Sequence, residues 1–136
     1  MKISFFYKVI LFFCTAILGM SLTGIAQVVL PTYPDSIFTT YYHQRYSLFK
    51  SLPDSKRDII FLGNSINDGS EWAELFNDVR IKNRGISGDI TTGILHRLKE
   101  VTSRKPAKVF LMIGINDLGR GVSPDSVVKN ILLIND

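Results

Sequence analysis

From Asp58 the chain runs Ile59-Ile60-Phe61-Leu62, an apolar stretch too short for a helix but continuous enough for a central parallel strand covered on both faces. Val79–Lys82 and Lys108–Ile113 read as two further strands, and helix-length segments separate all three. Before the first strand, Phe38, Tyr41, Tyr42, Arg45, Tyr46 and Phe49 recur at helical spacing, with Arg45 as the one polar break. Asp35 or Ser36 is placed to cap this helix, Pro53 to end it. Ser70–Asn77 carries Trp72, Ala73, Leu75 and Phe76, and its start, with Ser70, Glu71 and Glu74, suits the positive end of a helix dipole. Ile90–Val101 aligns Ile90, Ile94, Leu95, Leu98 and Val101 on one stripe. Ser123-Pro124-Asp125 opens a last helix whose apolar face is Val127, Val128, Ile131 and Leu132. The order β-α-β-α-β predicts an α/β domain with a parallel sheet.

Each predicted strand runs into a glycine-bearing motif. These are Gly63-Asn64-Ser65-Ile66, Asn83-Arg84-Gly85-Ile86-Ser87-Gly88-Asp89 and Gly114-Ile115-Asn116-Asp117. Active sites of open α/β sheets form at the carboxyl ends of the strands. Taken singly, Ser65 is a serine in a strand-to-helix turn, Gly88 a turn glycine and Asn116 an Asx-turn residue. A serine hydroxyl is a weak nucleophile and needs an adjacent base, an exposed position and donors aimed at the oxyanion formed on attack; Ser65, at the end of a buried strand, fits the position.

The three motifs, in this order, resemble the first three sequence blocks of the SGNH (GDSL-type) hydrolases, a family of serine esterases and lipases. The likeness runs from about Ile59 to Asp117. It is strongest toward secreted bacterial members related to platelet-activating-factor acetylhydrolase and to carbohydrate or sialate O-acetylesterases. The resemblance implies a flavodoxin-like three-layer α/β/α sandwich. It also implies Ser65 as nucleophile, and Gly88 (backbone N–H) and Asn116 (side-chain amide) as oxyanion-hole donors beside the Ser65 N–H. Asp89 and Asp117 are expected to accept loop N–H groups. Asn64 stands where the family usually has Asp, and the Asp-x-x-His block that supplies the general base and its acid partner has no counterpart before Asp136. His43 and His96 precede or follow the motifs on helices and read as surface or boundary residues. The domain is therefore expected to be truncated at its carboxyl end, with residues 58–136 as the amino-terminal part of an SGNH hydrolase domain. The expected reaction is hydrolysis of an acetyl or other short acyl ester, on a carbohydrate or small molecule, without metal or organic cofactor. A lysophospholipase or thioesterase substrate, and a non-catalytic binding remnant of the fold, are the alternatives.

Composition adjusts this picture at the amino terminus. Lys2 and Lys8 flank a basic start, Val9–Met20 is apolar, and Gly24 and Ala26 occupy −3 and −1 of a cut before Gln27, the layout of a secretory signal peptide. The uninterrupted run from Val9 to Leu18 is shorter than the ~20 residues of a membrane span, so no stable anchor is expected after cleavage. Residues 27–57 then read as an extended leader and the amphipathic helix, in a secreted or periplasmic protein. Cleavage removes the single cysteine, Cys14, so stability rests on packing rather than disulfides. It also lowers the net charge from +4 to +2. Arg80, Lys82 and Arg84 read as the polar side of a strand, and without interleaved aromatics they indicate no nucleic-acid partner.

Overall fold

The computed structural model describes residues 31–55 and 57–136. The expected export signal, its cut after Ala26 and the start of the leader lie outside the described residues. A 3-10 turn, Asp35–Ile37, precedes helix α1, Thr40–Ser51. Thr39 caps α1 by accepting the Tyr42 N–H at 3.1 Å, in place of the expected Asp35 or Ser36. Asp35 instead closes the 3-10 turn, its carbonyl accepting the Phe38 N–H at 3.1 Å.

Strand β1, Ile59–Gly63, leads into two short helical turns, α2 (Ser65–Asp68) and α3 (Trp72–Leu75). The helix expected over Ser70–Asn77 is shortened to Trp72–Leu75, and the turn Ser65–Asp68 before it was not foreseen. The two are separated at Gly69, whose N–H returns to the Ser65 carbonyl at 3.0 Å, while Ser70 donates its hydroxyl to the Ile66 carbonyl at 2.8 Å. Ser70 thus closes the preceding turn instead of capping the next. Strand β2, Ile81–Gly85, also starts later than the expected Val79. Asp78 accepts the Arg80 N–H at 2.9 Å and holds its guanidinium at 2.7 Å, folding Asp78–Arg80 into a turn that leaves Val79 85% exposed. These hydrogen bonds and the Arg80 charge draw the Asp78 carboxyl down to about 2.

Helix α4 (Thr91–Thr102) crosses to strand β3 (Lys108–Met112), followed by α5 (Ile115–Gly119) and α6 (Pro124–Asn135). The sheet is parallel with order β2-β1-β3, so the chain has an α/β fold with β1 in the centre. Side-chain alternation gives β1 two apolar faces. Ile60 and Leu62 are fully buried against Ile94, Leu98 and Val101 of α4, each such side chain contributing about 1.5–3 kcal/mol. On the opposite face Phe61 stacks on Trp72 at 4.6 Å and meets Phe110 at 5.0 Å. In α6 the Ser123 cap and Pro124 start are as expected, but the inward face is Val127, Ile131 and Ile134. Val128 and Leu132 are 55% and 58% exposed, because the core lies on only one side of this helix.

The alternating basic residues of β2 do not form one polar side. Arg84 points toward α4 and is buried. Its Nε donates to Glu100 at 3.1 Å and its guanidinium lies 4.9 Å over the Phe49 ring. Glu100 also accepts Arg104 at 2.7 Å, and Arg104 in turn donates to the Phe49 carbonyl of α1 and to that of Leu52, its C-cap. A polar layer therefore joins β2, α4 and α1. Burial pulls the Arg84 pKa down while Glu100 opposes it.

Gly85 has no room for a side chain, since a Cβ there would run into the backbone of Asn67 and Asp68. Gly119, at the end of α5, has nothing within 4 Å. We expect Gly85→Ala to destabilise by about 1–3 kcal/mol through overpacking, and Gly119→Ala to be neutral or slightly stabilising. Urea unfolding of both variants checks this; equal midpoints would contradict the close approach of α2 to β2.

Candidate functional site

The register places Gly63 opposite Gly85 on one side and Met112 on the other, so all three motifs leave the sheet at one level. Ser65 lies two residues beyond this line, Gly88 three and Asn116 four, which brings the three sequence-predicted site residues to one carboxyl edge. Ser65 is exposed and opens α2, so its N–H belongs to the first helical turn, where intrahelical acceptors are lacking. Asn64 is buried, donates its N–H to the Met112 carbonyl at 3.3 Å and accepts the Ile66 N–H on Oδ1 at 3.1 Å. The side-chain oxygen an Asp would offer is kept, without its charge.

The second motif spends its backbone donors selectively. Ile86 donates to the Gly63 carbonyl (3.0 Å), Ser87 to Asp68 (2.9 Å) and Asp89 to the Ile86 carbonyl (3.0 Å). Ile90 donates to Asp89 Oδ1 (2.9 Å) and Thr91 to Asp117 (3.0 Å). Gly88 alone in this run has an N–H with no acceptor among the described residues. It is exposed and holds φ +80°, a left-handed conformation suited to glycine. Asn116 Nδ2 donates one hydrogen to the Asp89 carbonyl at 2.8 Å, which orients the amide and leaves its second hydrogen for another acceptor.

Asp89 and Asp117 are buried acceptors, as expected. Asp117 reaches across to cap α4, taking the Thr91 N–H and hydroxyl, the latter at 2.6 Å, where the helix's own N-cap residue, Ile90, supplies no side-chain bond. Asp89 also forms an ion pair that sequence reasoning missed. Arg97, fully buried, donates Nε and Nη2 to its carboxylate at 3.1 and 2.9 Å, and Nη2 also to the Arg84 and Gly63 carbonyls at 2.9 and 3.3 Å. Burial pushes the Asp89 carboxyl up, against the pull of Arg97. One signal was available, a charged residue on the Ile94–Val101 stripe, where only a buried partner makes it tolerable.

Asp68 was missed as well. Its Oδ2 accepts the Ser87 N–H (2.9 Å), the Ser87 hydroxyl (2.7 Å) and the Tyr41 hydroxyl (2.8 Å), and Arg45 lies 3.2 Å from Oδ1. Burial pushes this carboxyl up, but the bonds from Ser87 and Tyr41 and the Arg45 charge outweigh it and hold it below the ordinary value of 3.8. The aromatic stripe of α1 thus divides. Tyr42 and Phe49 are core, with the Tyr42 hydroxyl donating to the Gly93 carbonyl at 2.7 Å, whereas Tyr41 is 42% exposed and turned to Asp68. His96 packs among Phe38, Tyr42 and Tyr46 and lies 3.4 Å from Asp35, and His43 contacts the Asp35 carbonyl. Their recorded partners lie in α1 and the turn before it, not in the three motifs. Among the described residues no His, Cys, Asp and Glu cluster could hold a metal ion.

The fold and this edge define an α/β protein whose three motif loops meet at one carboxyl edge of a parallel sheet. The profile of the GDSL-like Lipase/Acylhydrolase family matches residues 61–135, and the chain belongs to that family. It is 33% identical over 81 residues to platelet-activating factor acetylhydrolase IB subunit alpha2 of Homo sapiens and of Rattus norvegicus, covering 55% of this chain and 34% of each relative. The chain thus spans about a third of the length of these relatives. Among solved structures, a candidate platelet activating factor from Streptococcus pneumonia superposes with TM-score 0.57 at 26% identity, over 69% of this chain and 46% of that one. A candidate acylhydrolase of Bacteroides fragilis NCTC 9343 shares the fold with TM-score 0.55 at 24% identity, over 76% of this chain and 52% of that one.

Two outcomes follow from the buried charges. Arg97→Met strands the Asp89 carboxylate and should cost about 3–5 kcal/mol; adding Asp89→Leu should recover part of the loss, and chemical denaturation of both variants measures it. Asp68 has a folded pKa below its unfolded one, so its stabilisation is present above about pH 4 and lost as pH falls through the folded value. The stability gap between the parent and Asp68→Asn should therefore be full near neutrality and close on acidification below 3.8. A gap independent of pH would contradict the assignment.

Proposed function

We propose that this chain supplies the nucleophile and oxyanion-binding edge of a serine esterase that hydrolyses short acyl esters, acetyl groups on carbohydrates first. The observation that carries the reading is the spare N–H of Gly88, set at the same sheet edge as the exposed Ser65 and the half-used amide of Asn116. Ser65 Oγ attacks the ester carbonyl carbon, the Oγ–C bond forms and the carbonyl π pair moves to oxygen. The N–H groups of Ser65 and Gly88 and the free Nδ2 hydrogen of Asn116 receive that oxyanion. Collapse expels the alcohol and leaves an acyl-enzyme on Ser65, which water then hydrolyses. The serine proton passes to a histidine base. The family draws this base from an Asp-x-x-His block without counterpart in this sequence, and neither His43 nor His96 is placed to replace it.

Membership of the GDSL-like family supports acyl hydrolysis, and relatives named acetylhydrolases support a short acyl group. The carbohydrate leaving group rests on the likeness to carbohydrate O-acetylesterases. Lysophospholipid and thioester substrates remain the comparison set.

In the full-length protein, Ser65→Ala should abolish release of acetate from an aryl acetate and from acetylated sugars. Asn116→Ala should lower kcat by about 10²–10³-fold while changing KM little, since its donor acts on the transition state. Acetylated oligosaccharides should be preferred over a lysophospholipid by kcat/KM. Full turnover in Ser65→Ala would sink the nucleophile assignment, and a preference for the lysophospholipid would move the substrate class.

A further inference from the structure

We infer that Asp68 and Arg120 clamp the Ser87–Gly88 peptide from its two sides, and so act as positioning residues for the Gly88 N–H. This rests on the oxyanion reading above and extends it to two residues outside the nucleophile and donor set. The peptide unit itself is rigid, so the direction of the Gly88 N–H depends on the soft dihedrals at Ser87 and Gly88. Ser87 is held upstream, its N–H and hydroxyl both donating to Asp68 Oδ2 at 2.9 and 2.7 Å. Gly88 is held downstream, its carbonyl accepting Arg120 Nη2 at 2.8 Å. The Asp89 N–H of the same peptide unit donates to the Ile86 carbonyl at 3.0 Å, and Arg120 is the donor to the Gly88 carbonyl itself among the described residues; a glycine at φ +80° has a wider basin to wander in than any other residue. An unclamped N–H would sample directions of which few meet an oxyanion, and misplacement of about 1 Å can cost ~10²-fold in rate.

The upstream jaw is braced from outside the family-matched segment. Tyr41 donates to Asp68 at 2.8 Å and Arg45 lies 3.2 Å from it, and both belong to α1, which precedes residue 61. The downstream jaw comes from the residue following α5, three residues past the Gly114–Asp117 motif, so the third motif region touches the second twice, through Asn116 and through Arg120. Arg120 is exposed and its substitution disturbs no core contact, which makes it the cleaner probe of the two.

The test uses the full-length protein with an aryl acetate. Arg120→Ala should lower kcat by roughly ten- to a hundredfold with KM within about twofold. Arg120→Lys should recover part of the loss, because an ammonium can donate to the same carbonyl. Asp68→Ala should follow the same kcat pattern, and Arg80→Ala, at a surface residue whose side chain pairs with Asp78 among the described residues, should match the parent. A readout free of turnover is the nitrogen-relaxation order parameter of the Gly88 amide, expected to fall in Arg120→Ala from rigid values near about 0.85 toward those of a loose loop, below about 0.6. An unchanged order parameter, or a loss confined to KM, overturns the clamp. Activity surviving in Ser65→Ala overturns the nucleophile reading instead, and the Gly88 order parameter still decides the clamp.

Discussion

The buried pair between Arg97 and Asp89 is the contact on which the geometry of the carboxyl edge depends. One guanidinium reaches the last residue of β1 through the Gly63 carbonyl, the end of β2 through the Arg84 carbonyl, and the second motif through Asp89. Burying two charges costs several kcal/mol each, and their attraction repays this only when the geometry and the remaining hydrogen bonds are good. Here the same donors that neutralise Asp89 also satisfy two strand-end carbonyls. The position of Gly88, one residue before Asp89, is therefore tied to the end of the strand that carries Ser65.

A division of labour runs through the motifs. Asp89 and Asp117 consume the donors of the loop and of the α4 amino terminus, and Asp68 consumes those of Ser87. What these carboxylates leave over is the N–H of Gly88 and one hydrogen of Asn116 Nδ2. Gly88 is exposed and Asn116 half-buried, so both donors are open to an acceptor at the edge where ligands bind in such folds. The parallel register makes the arrangement possible, because it sets Gly63, Gly85 and Met112 level and lets short loops of similar length meet.

Helix α1 lies before the family-matched segment and yet is built into the domain. Phe49 and Tyr42 share a buried cluster with Ile86 of the second motif, Arg104 holds the carbonyls at the end of the helix, and Tyr41 and Arg45 reach Asp68. Aromatic packing thus fixes the helix, and its polar tips are what arrive at the motif loops.

Local pattern alone was enough for the β-α-β-α-β order, the central place of Ile59–Leu62, the Ser123-Pro124 helix start and the three motifs at strand ends, because side-chain period and capping chemistry are properties of neighbouring residues. Ser65, Gly88 and Asn116 stood out as a set through the resemblance of their three motifs to the SGNH hydrolase blocks, and the register brings them to one edge. Competing local turns were not legible: Asp78 turned back on Arg80 two residues on and delayed β2, and Ser70 closed the turn from Ile66 instead of capping the next helix. Nor was what depended on contacts far apart in sequence, as where Val128 and Leu132 stayed exposed because the core covers only one side of α6. Arg84 read as solvent-facing until Glu100 of α4 was beside it, and Arg97, Asp68 and Arg120 had no visible task until the elements they join were assembled. A charge declares its role through its partner, and these partners lie 8 to 32 residues away, beyond the reach of any local period.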